Sequence, residues 1–417
     1  MVNYRPDTLA FLTTNCCDAN CEYCGIEKSN PPQRLSLETM YDYTDQARRY
    51  GIRKFTFTGG EPLLLGEDLF DAISYAHKSG MSCGLVTNGS YAKDEETGKR
   101  IAKRFFDSGL DALKISMDQN HFEFIPYEHS FNALKGALQY ELSPNVNVTD
   151  LRSTNSRNWS MLRRIAEDLG GEFENKFIKV DGKKVAYYEW NSASREGEAK
   201  KLDKREFKLK KVKYNASCDA KTVTVRSDGK VAAPCCSFAS AANDFYVMGD
   251  AKDMTIEEVV ERANDSVIGS VLVGPFGLGR IGNALSYAKD SNIRRLTNRN
   301  YTSLCEFCGT VFSDEKATAF IVNKFEKLKD ANPKVVFKEG YLATTELLAR
   351  VVHDGRKSRF ITFLGPIRKE DYNIARYSHD LEILEGMEKE QGELSEYTDP
   401  LKMNIEILQQ ENSKQHF

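Results

Sequence analysis

Three cysteines near the start of the chain have the spacing of a metal site. They stand in Cys17-Asp-Ala-Asn-Cys21-Glu-Tyr-Cys24, which is a C-x3-C-x2-C pattern. Three thiolates on one short loop can bind three irons of a cubane cluster and leave the fourth iron open to a ligand from outside the protein. Zinc is the alternative, but a structural zinc site needs four ligands and only the adjacent Cys16 is close. The spacing therefore favours an iron–sulfur cluster.

A second group of cysteines lies in the later part of the chain. Its members are Cys218, Cys235, Cys236, Cys305 and Cys308. Residues 222–226 and 230–232 flank an Asp-Gly turn, which predicts a β-hairpin between Cys218 and Cys235. Four of these thiols are enough for a metal site, and either Cys235 or Cys236 is then left over. Zinc remains an alternative here because four ligands are available.

The overall composition limits the classes of function. The chain has 417 residues, a formal net charge of −3 and ten cysteines. This charge balance gives no indication of nucleic-acid or membrane-surface binding. Apolar runs are too short for a signal peptide or a membrane span, so we expect a cytoplasmic protein. Clustered cysteines in a long chain of this kind are typical of metal ligands rather than of a disulfide framework.

The elements that must position the first cysteines form a repeated β-strand and α-helix pattern. Predicted strands cover residues 8–14, 54–58, 84–87, 112–116, 146–149 and 173–178, and predicted helices cover 36–50, 68–79, 95–107, 131–140 and 159–169. Four of the helices stop at a glycine, namely Gly51, Gly80, Gly109 and Gly170. Repeated βα units predict a parallel sheet covered by helices, either an open sheet or an incomplete barrel.

The whole chain divides into four parts, of which the βα core is the first. We expect a core over residues 1–180, a charged linker or insert over 181–213, a cysteine-bearing domain over 214–315 and a C-terminal extension with a helical tail over 316–417. Residues 195–213 contain nine Lys or Arg in nineteen positions, which indicates a solvated segment or a landing site for an acidic substrate. Cys83 is expected in the core, and Asp118 and Tyr127 are candidates to face a substrate cavity.

The first cysteine motif resembles the signature of the radical S-adenosylmethionine (SAM) superfamily, including the aromatic Tyr23 before the third cysteine. Further strand ends carry the same resemblance. They are Thr58-Gly59-Gly60-Glu61-Pro62 after the second strand, Thr87-Asn88-Gly89 after the third, Ile115-Ser116-Met117-Asp118 after the fourth and Arg152 after the fifth. The ends of parallel strands are where βα folds place their sites.

The resemblance implies a partial (β/α)6 barrel of the TIM type and an enzyme with two cofactors. Cys17, Cys21 and Cys24 would hold a [4Fe–4S] cluster that cleaves SAM reductively to a 5′-deoxyadenosyl radical. SAM itself would be held by Tyr23, Thr58, Gly59, Gly60, Glu61, Asn88, Ser116 and Arg152. An electron donor such as flavodoxin or ferredoxin is the implied partner.

The later cysteines resemble the SPASM/Twitch extension of radical SAM enzymes, in the shorter Twitch form. This implies an auxiliary [4Fe–4S] cluster held by Cys218, Cys235, Cys305 and Cys308. The Pro-Cys-Cys-Ser segment after the hairpin is similar to epipeptide-type peptidyl epimerases, which implies a peptide substrate and Cys236 as the hydrogen donor in L-to-D epimerisation. One alternative is peptide cross-linking, and another is oxidation of a small molecule with the auxiliary cluster as electron acceptor. A third alternative is a non-enzymatic iron–sulfur or zinc scaffold.

Overall fold

The structure is a computed structural model that describes residues 4–174, 176–213, 216, 218, 221–234, 244–266, 269, 271–272 and 277–329. The described residues form one mixed sheet of eleven strands. The strands are β1 Thr8–Leu12, β2 Lys54–Thr58, β3 Ser82–Thr87, β4 Ala112–Ser116, β5 Asn145–Asp150, β6 Gly171–Glu174, β7 Phe177–Val180, β8 Lys183–Ser192, β9 Thr222–Val225, β10 Lys230–Ala232 and β11 Val247–Asp250.

Helices alternate with the first strands and cover one face of the sheet. They are α1 Leu37–Tyr50, α2 Glu67–Lys78, α3 Glu95–Asp107, α4 Tyr127–Gln139 and α5 Asn155–Asp168. The glycines predicted to end four of them all have positive φ, from 71° at Gly170 to 99° at Gly51. Only glycine adopts that left-handed backbone without strain, which is why these helices end where the sequence predicts.

The expected α/β fold with a parallel barrel core is confirmed, but its sixth strand lies elsewhere than predicted. Strands β1 to β5 and then β8 are joined in parallel, and β8 pairs with β5 along six residues. The predicted strand 173–178 is wrong, because this stretch belongs to the antiparallel hairpin β6–β7. The turn into β8 contains Asp181 and Gly182 with φ of 49° and 73°, which is the backbone that a tight Asp-Gly hairpin requires.

This topology corrects the interpretation of residues 181–213 as a solvated linker. β8 lies inside that range and is an integral strand of the sheet. Farther on, Lys208 Nζ lies 3.0 Å from Asp150 Oδ2, and the Asp150 side chain is fully buried. Lys210 forms an isolated β-bridge with Tyr301. The basic segment is therefore built into the fold through its backbone and through a buried counter-ion.

The predicted hairpin at 222–232 is confirmed and extends the sheet at its other edge. β9 pairs antiparallel with β10 and parallel with β1, so the later part of the chain continues the sheet of the core. Behind it lie α6 Ile256–Asp265, α7 Gly277–Ser286, α8 Ser291–Asn298, α9 Leu304–Phe312 and α10 Glu315–Lys329. Residues 330–417 of the predicted C-terminal extension lie outside the described residues.

Two apolar cores support these layers. The larger one lies between the sheet and its helices and contains fully buried side chains such as Phe11, Phe57, Leu113 and Val146. The second lies among the later helices around Tyr246, Ile281 and Phe307. No helix in the described ranges is long and apolar enough to cross a membrane.

Candidate functional site

The cysteine motif lies on a long loop whose base is closed by hydrogen bonds. After β1, the N–H of Leu35 donates to the carbonyl of Thr13 at 2.9 Å, and the N–H of Asn15 donates to the carbonyl of Gln33 at 3.2 Å. The side chain of Asn15 returns a bond, since its Oδ1 accepts from the N–H of Gln33 at 2.8 Å. The loop that carries Cys17, Cys21 and Cys24 is therefore anchored at both ends to the carboxyl end of β1.

A second anchor joins this loop to the glycine segment after β2. The N–H of Gly60 donates to the carbonyl of Thr14 at 2.6 Å, and that of Glu61 donates to the carbonyl of Cys16 at 2.8 Å. A Cβ atom at Gly60 would lie 1.9 Å from the Cys16 carbonyl oxygen, so no larger residue fits. The glycine segment and the cysteine loop are thus fixed against each other by their backbones.

Glu61 links the ends of β2 and β3 from a buried position. Its carboxylate accepts hydrogen bonds from Thr87 Oγ1 at 2.9 Å, Asn88 N at 2.8 Å and Leu63 N at 3.2 Å. Burial raises the pKa of Glu61 to about 7, and these hydrogen bonds oppose the shift. A buried carboxylate at this point is suited to a cationic group such as an amine.

Asn88 lies between Glu61 and the first cysteine. Its Nδ2 is 3.7 Å from Cys17 Sγ and donates to Asp18 Oδ1 at 2.6 Å.

Near Glu61, the hydroxyl of Tyr91 is buried and has no hydrogen-bond partner among the described residues. An orphaned buried hydroxyl is a place where a polar ligand atom fits. Tyr91 was not among the predicted site residues, although it follows the Thr-Asn-Gly strand end closely.

The third cysteine's neighbourhood contains a buried polar triad at the end of β4. Tyr23 Oη, Asp118 Oδ2 and His121 Nδ1 lie within 3.0 Å of one another. Burial alone favours the neutral imidazole and the neutral acid. The two groups nevertheless hold each other charged, so that the pKa of His121 is raised and that of Asp118 is lowered. Cys21 lies near enough to His121 to contribute to this raised pKa, and His121 was not among the predicted site residues.

The three cysteines have the chemistry of soft metal ligands. Cys17, Cys21 and Cys24 are free thiols, and burial raises the pKa of Cys17 to about 12. A bound iron would be needed to hold that sulfur as a thiolate. Among the described residues, no three Cys, His, Asp or Glu side chains converge on one point as a single-ion site requires. In a cubane cluster each thiolate binds a separate iron, so the fit to a [4Fe–4S] cluster does not depend on such convergence.

The concave face of the sheet beside this site is polar. On β5, Val146 and Val148 are fully buried toward the helices, whereas Asn147 on the opposite face is half-buried. Asn147 Oδ1 accepts from Asn191 Nδ2 at 2.9 Å. On the two strands that flank β5, Lys114 Nζ of β4 pairs with Glu189 Oε2 of β8 at 2.6 Å, and each side chain is about one-third exposed. This wall offers amide and charged groups to a polar substrate.

The other predicted SAM ligands differ in where they lie and in how far they are buried. The carbonyl of Thr58 accepts from Thr13 N at 2.8 Å at the base of the cysteine loop, and Ser116 is buried at the end of β4. Arg152 has an exposed side chain, while its N–H donates to the carbonyl of Glu206. Tyr127, which was expected to face a substrate cavity, lines a cleft with Gln119 and Phe122 and donates its hydroxyl to Asp168 Oδ2 at 2.7 Å.

The later cysteines border the second apolar core. Cys308 is buried in it and its sulfur contacts the hydroxyl of Tyr246, while Cys218 and Cys305 pack against its edge. Cys305 and Cys308 both lie on α9, and Cys218 and residue 234 stand in the sequence before and after the hairpin β9–β10. Cys235 and Cys236 lie outside the described residues. Cys83 lies on β3 and is buried, as predicted for a core residue.

Comparison with known proteins adds a family match to this geometry. Residues 11–139 match the model of the Radical SAM superfamily. A probable GTP 3′,8-cyclase of Methanocella arvoryzae is 29% identical over 161 residues, covering 36% of this chain and 50% of the relative. The chain thus matches about half the length of such cyclases. The putative peptide biosynthesis protein YydG of Bacillus subtilis is 24% identical over 336 residues, covering 76% of this chain and 96% of the relative. Streptococcus suis SuiB bound to precursor peptide SuiA aligns with a TM-score of 0.49 and 12% identity, covering 75% of this chain and 74% of that structure.

Proposed function

We propose that the protein, whose residues 11–139 match the Radical SAM superfamily model, is a radical SAM enzyme that modifies a ribosomally made peptide. The observation that carries the proposal is the backbone junction between the cysteine loop and the glycine segment. That junction brings a three-thiol loop, a buried carboxylate at Glu61 and an orphaned hydroxyl at Tyr91 to one end of a parallel sheet. Those groups match the needs of a cluster and of an amino-acid-like ligand bound next to it.

The residues present fit both cofactors. Cys17, Cys21 and Cys24 would bind the cluster irons, and Glu61 with the Gly59-Gly60 backbone would hold the amino group of SAM. Tyr23, Thr58, Asn88, Ser116 and Arg152 complete the proposed SAM contacts. When bound, the cluster and SAM supply one-electron cleavage of a carbon–sulfur bond and a group that abstracts hydrogen. A reductant of the flavodoxin or ferredoxin class would supply the electron.

A peptide substrate is supported by the length of one match and by the wall of the site. The match to the Bacillus subtilis protein named for peptide biosynthesis covers nearly all of that relative, including its later part. The amide pair Asn147 and Asn191, with Lys114 and Glu189 below it, presents donors and acceptors that suit peptide main-chain groups. The chain's own task would be to orient one Cα–H bond and to exclude water.

Epimerisation is the specific reaction that we propose. Removal of hydrogen from Cα leaves a planar carbon, and a thiol on the opposite face can return hydrogen with inverted configuration. In that step the S–H bond of Cys236 breaks as the new C–H bond forms, and the sulfur must regain one electron and one proton from the reductant and solvent. Cys218, Cys235, Cys305 and Cys308 would hold the auxiliary cluster, which leaves Cys236 as the surplus thiol.

The test begins with the protein reconstituted anaerobically with iron and sulfide. Dithionite and SAM in D2O should give deoxyadenosine, and one deuterium should enter a reactive member of a synthetic library of linear peptides. The Cys236→Ala variant should still form deoxyadenosine but yield no D-residue, whereas Cys83→Ala, which removes a core thiol, should behave like the parent. Failure of the iron-loaded parent to form deoxyadenosine would refute the radical SAM activity.

The products separate the proposed reaction from its alternatives. Loss of two hydrogens from the peptide, without inversion, would mean that the reaction is cross-linking or dehydrogenation rather than epimerisation. Normal yield of the D-residue with Cys236→Ala would remove this thiol from the role of hydrogen donor. Activity on a small alcohol, with no peptide turned over, would favour the small-molecule oxidase.

A further inference from the structure

Residues 194–199, here named the strap, lie between the two cysteine motifs. The strap follows β8 and enters a short 3-10 turn, Gly197–Lys201. Glu196, Gly197 and Ala199 are buried, although the sequence around them is highly charged. A buried backbone in a charged segment requires contacts on both of its sides, and each side touches a different cysteine motif.

One side of the strap lies directly on the loop that ends the first motif. Gly197 has a φ of +51°, and a Cβ there would be 2.5 Å from the carbonyl carbon of Gly25 and 2.8 Å from the carbonyl oxygen of Cys24. Two residues later, the N–H of Ala199 donates to the same Cys24 carbonyl at 3.4 Å. Only glycine allows this approach, so the strap holds the third cysteine through its main chain.

The other side of the strap is bonded to the first turn of α9. Ser194 Oγ and Ser303 Oγ are 2.6 Å apart, and Ser303 is the N-cap of that helix. The N–H of Arg195 donates to Thr302 Oγ1 at 3.0 Å. Arg195 Nη1 also lies 3.7 Å from an oxygen of Glu306, and these side chains are 19% and 11% exposed. Glu306 stands between Cys305 and Cys308, so the second motif is held through the same helix turn.

These two sets of contacts lie very close together along the chain. Arg195 and Gly197 are two residues apart, and a fully extended chain of that length spans at most about 7 Å. The main chain of Cys24 and the first turn of α9 are therefore separated by little more than the thickness of the strap. Since α9 is packed in the second core through Phe307 and Val311, it gives the strap a rigid support.

We propose that Arg195 and Gly197 are positioning residues that fix the third cysteine of the first motif by anchoring it to α9. The inference rests on the proposed function, because it takes Cys24 as a ligand of the SAM-binding cluster. The long cysteine loop is hydrogen-bonded at its base near β1, and the strap supplies an additional support at its far end. Loosening the first turn of α9 therefore disturbs SAM binding at the other motif.

The first test replaces Gly197 by alanine and uses Gly182→Ala as the matched control. Both glycines have positive φ, but a Cβ at Gly182 meets nothing within 4 Å. Both variants carry the same kind of backbone strain, and only Gly197→Ala displaces the Cys24 main chain. In the reconstituted holoenzyme, Gly197→Ala should weaken SAM binding and change the SAM-dependent EPR signal of the reduced cluster. The rate of deoxyadenosine formation should fall by about a hundredfold, which is the usual effect of a displacement near 1 Å on a rate. SAM binding and EPR signals equal in the two variants would overturn the proposal.

The second test acts from α9 and does not depend on how Gly197→Ala folds. Ser303→Ala removes an N-cap that touches the strap, whereas Thr255→Ala removes the N-cap of α6, which bonds its own helix. Both lose a cap worth about 1 kcal/mol, and Ser303→Ala also loses its bond to Ser194 Oγ, so its melting temperature should fall somewhat further. Only Ser303→Ala should weaken SAM binding, by about fivefold for one lost hydrogen bond. Equal SAM affinity in both variants would also overturn the proposal, whereas a parent protein that binds no iron would refute the proposed function instead.

Discussion

Gly60→Ala tests the contact between the glycine segment and the cysteine loop. A Cβ on Gly60 would lie 1.9 Å from the carbonyl oxygen of Cys16 and 2.6 Å from its carbonyl carbon. Carbon contacts in proteins are comfortable near 3.5 Å, so one segment must move by about 1.5 Å. Both sides of the contact are main chain, and no side chain can rotate away to relieve it. Gly60 does not have a positive φ, so the effect comes from the contact alone.

The size of the effect follows from what the displacement breaks. Overpacking of this kind costs about 1–3 kcal/mol in the free energy of unfolding. The bonds from Gly60 N to Thr14 O at 2.6 Å and from Glu61 N to Cys16 O at 2.8 Å are strained or lost at the same time. Misplacing a reacting group by about 1 Å typically lowers a rate by roughly a hundredfold. We therefore expect Gly60→Ala to keep a folded core and to lose about that factor in deoxyadenosine formation.

The assay compares Gly60→Ala with Gly84→Ala. Gly84 lies on β3 of the same sheet, and a Cβ there would find its nearest atoms at 3.6 and 4.0 Å, which is ordinary contact. Iron content, the EPR signal with SAM and the rate of deoxyadenosine formation under dithionite are measured for both proteins. If Gly60→Ala binds iron and forms deoxyadenosine within threefold of Gly84→Ala, the junction does not position the cluster loop as we infer.

Three further substitutions, the first with a control variant, test individual assignments. Cys21→Ala should lose the SAM-responsive EPR signal, whereas Cys83→Ala should keep the iron content of the parent and lose only about 1 kcal/mol of stability, since its thiol fills core space. Glu61→Gln places an amide N–H2 among the donors of Leu63 and Asn88, so the free energy of unfolding should fall by about 1–3 kcal/mol and SAM should bind more weakly; unchanged thermal melting and SAM affinity would contradict this account. Arg152→Ala should weaken SAM binding measured by calorimetry if its guanidinium meets the SAM carboxylate, and unchanged affinity would remove it from the site.

Much of the βα core could be predicted because its signals are local. Strands β2 and β4 begin and end at the predicted residues, since each is a short apolar run between a turn and a helix. Gly51, Gly80, Gly109 and Gly170 ended their helices because a left-handed residue stops a helix whatever surrounds it. The placement of the cysteine motif and of Glu61 at strand ends followed from the same alternation.

The prediction of the sixth strand was wrong for two reasons, one local and one that depends on long-range pairing. The Asp181-Gly182 turn was a readable hairpin signal and was missed. β8 itself has half-buried residues along most of its length and no clear apolar alternation. Its strand character comes from pairing with β5 on one side and β7 on the other, and such long-range pairing leaves little trace in a single segment.

By itself, the sequence determined which chemical groups the protein has and at which strand ends they lie, because cysteine spacing, glycine stops and strand periodicity are properties of neighbouring residues. Only the tertiary structure decided which distant groups meet. It brought His121 to Tyr23, set Tyr91 near Glu61 and laid the main chain of Gly197 on that of Cys24. These contacts join segments far apart in the chain, and their close packing depends on the volume left between elements rather than on any local pattern.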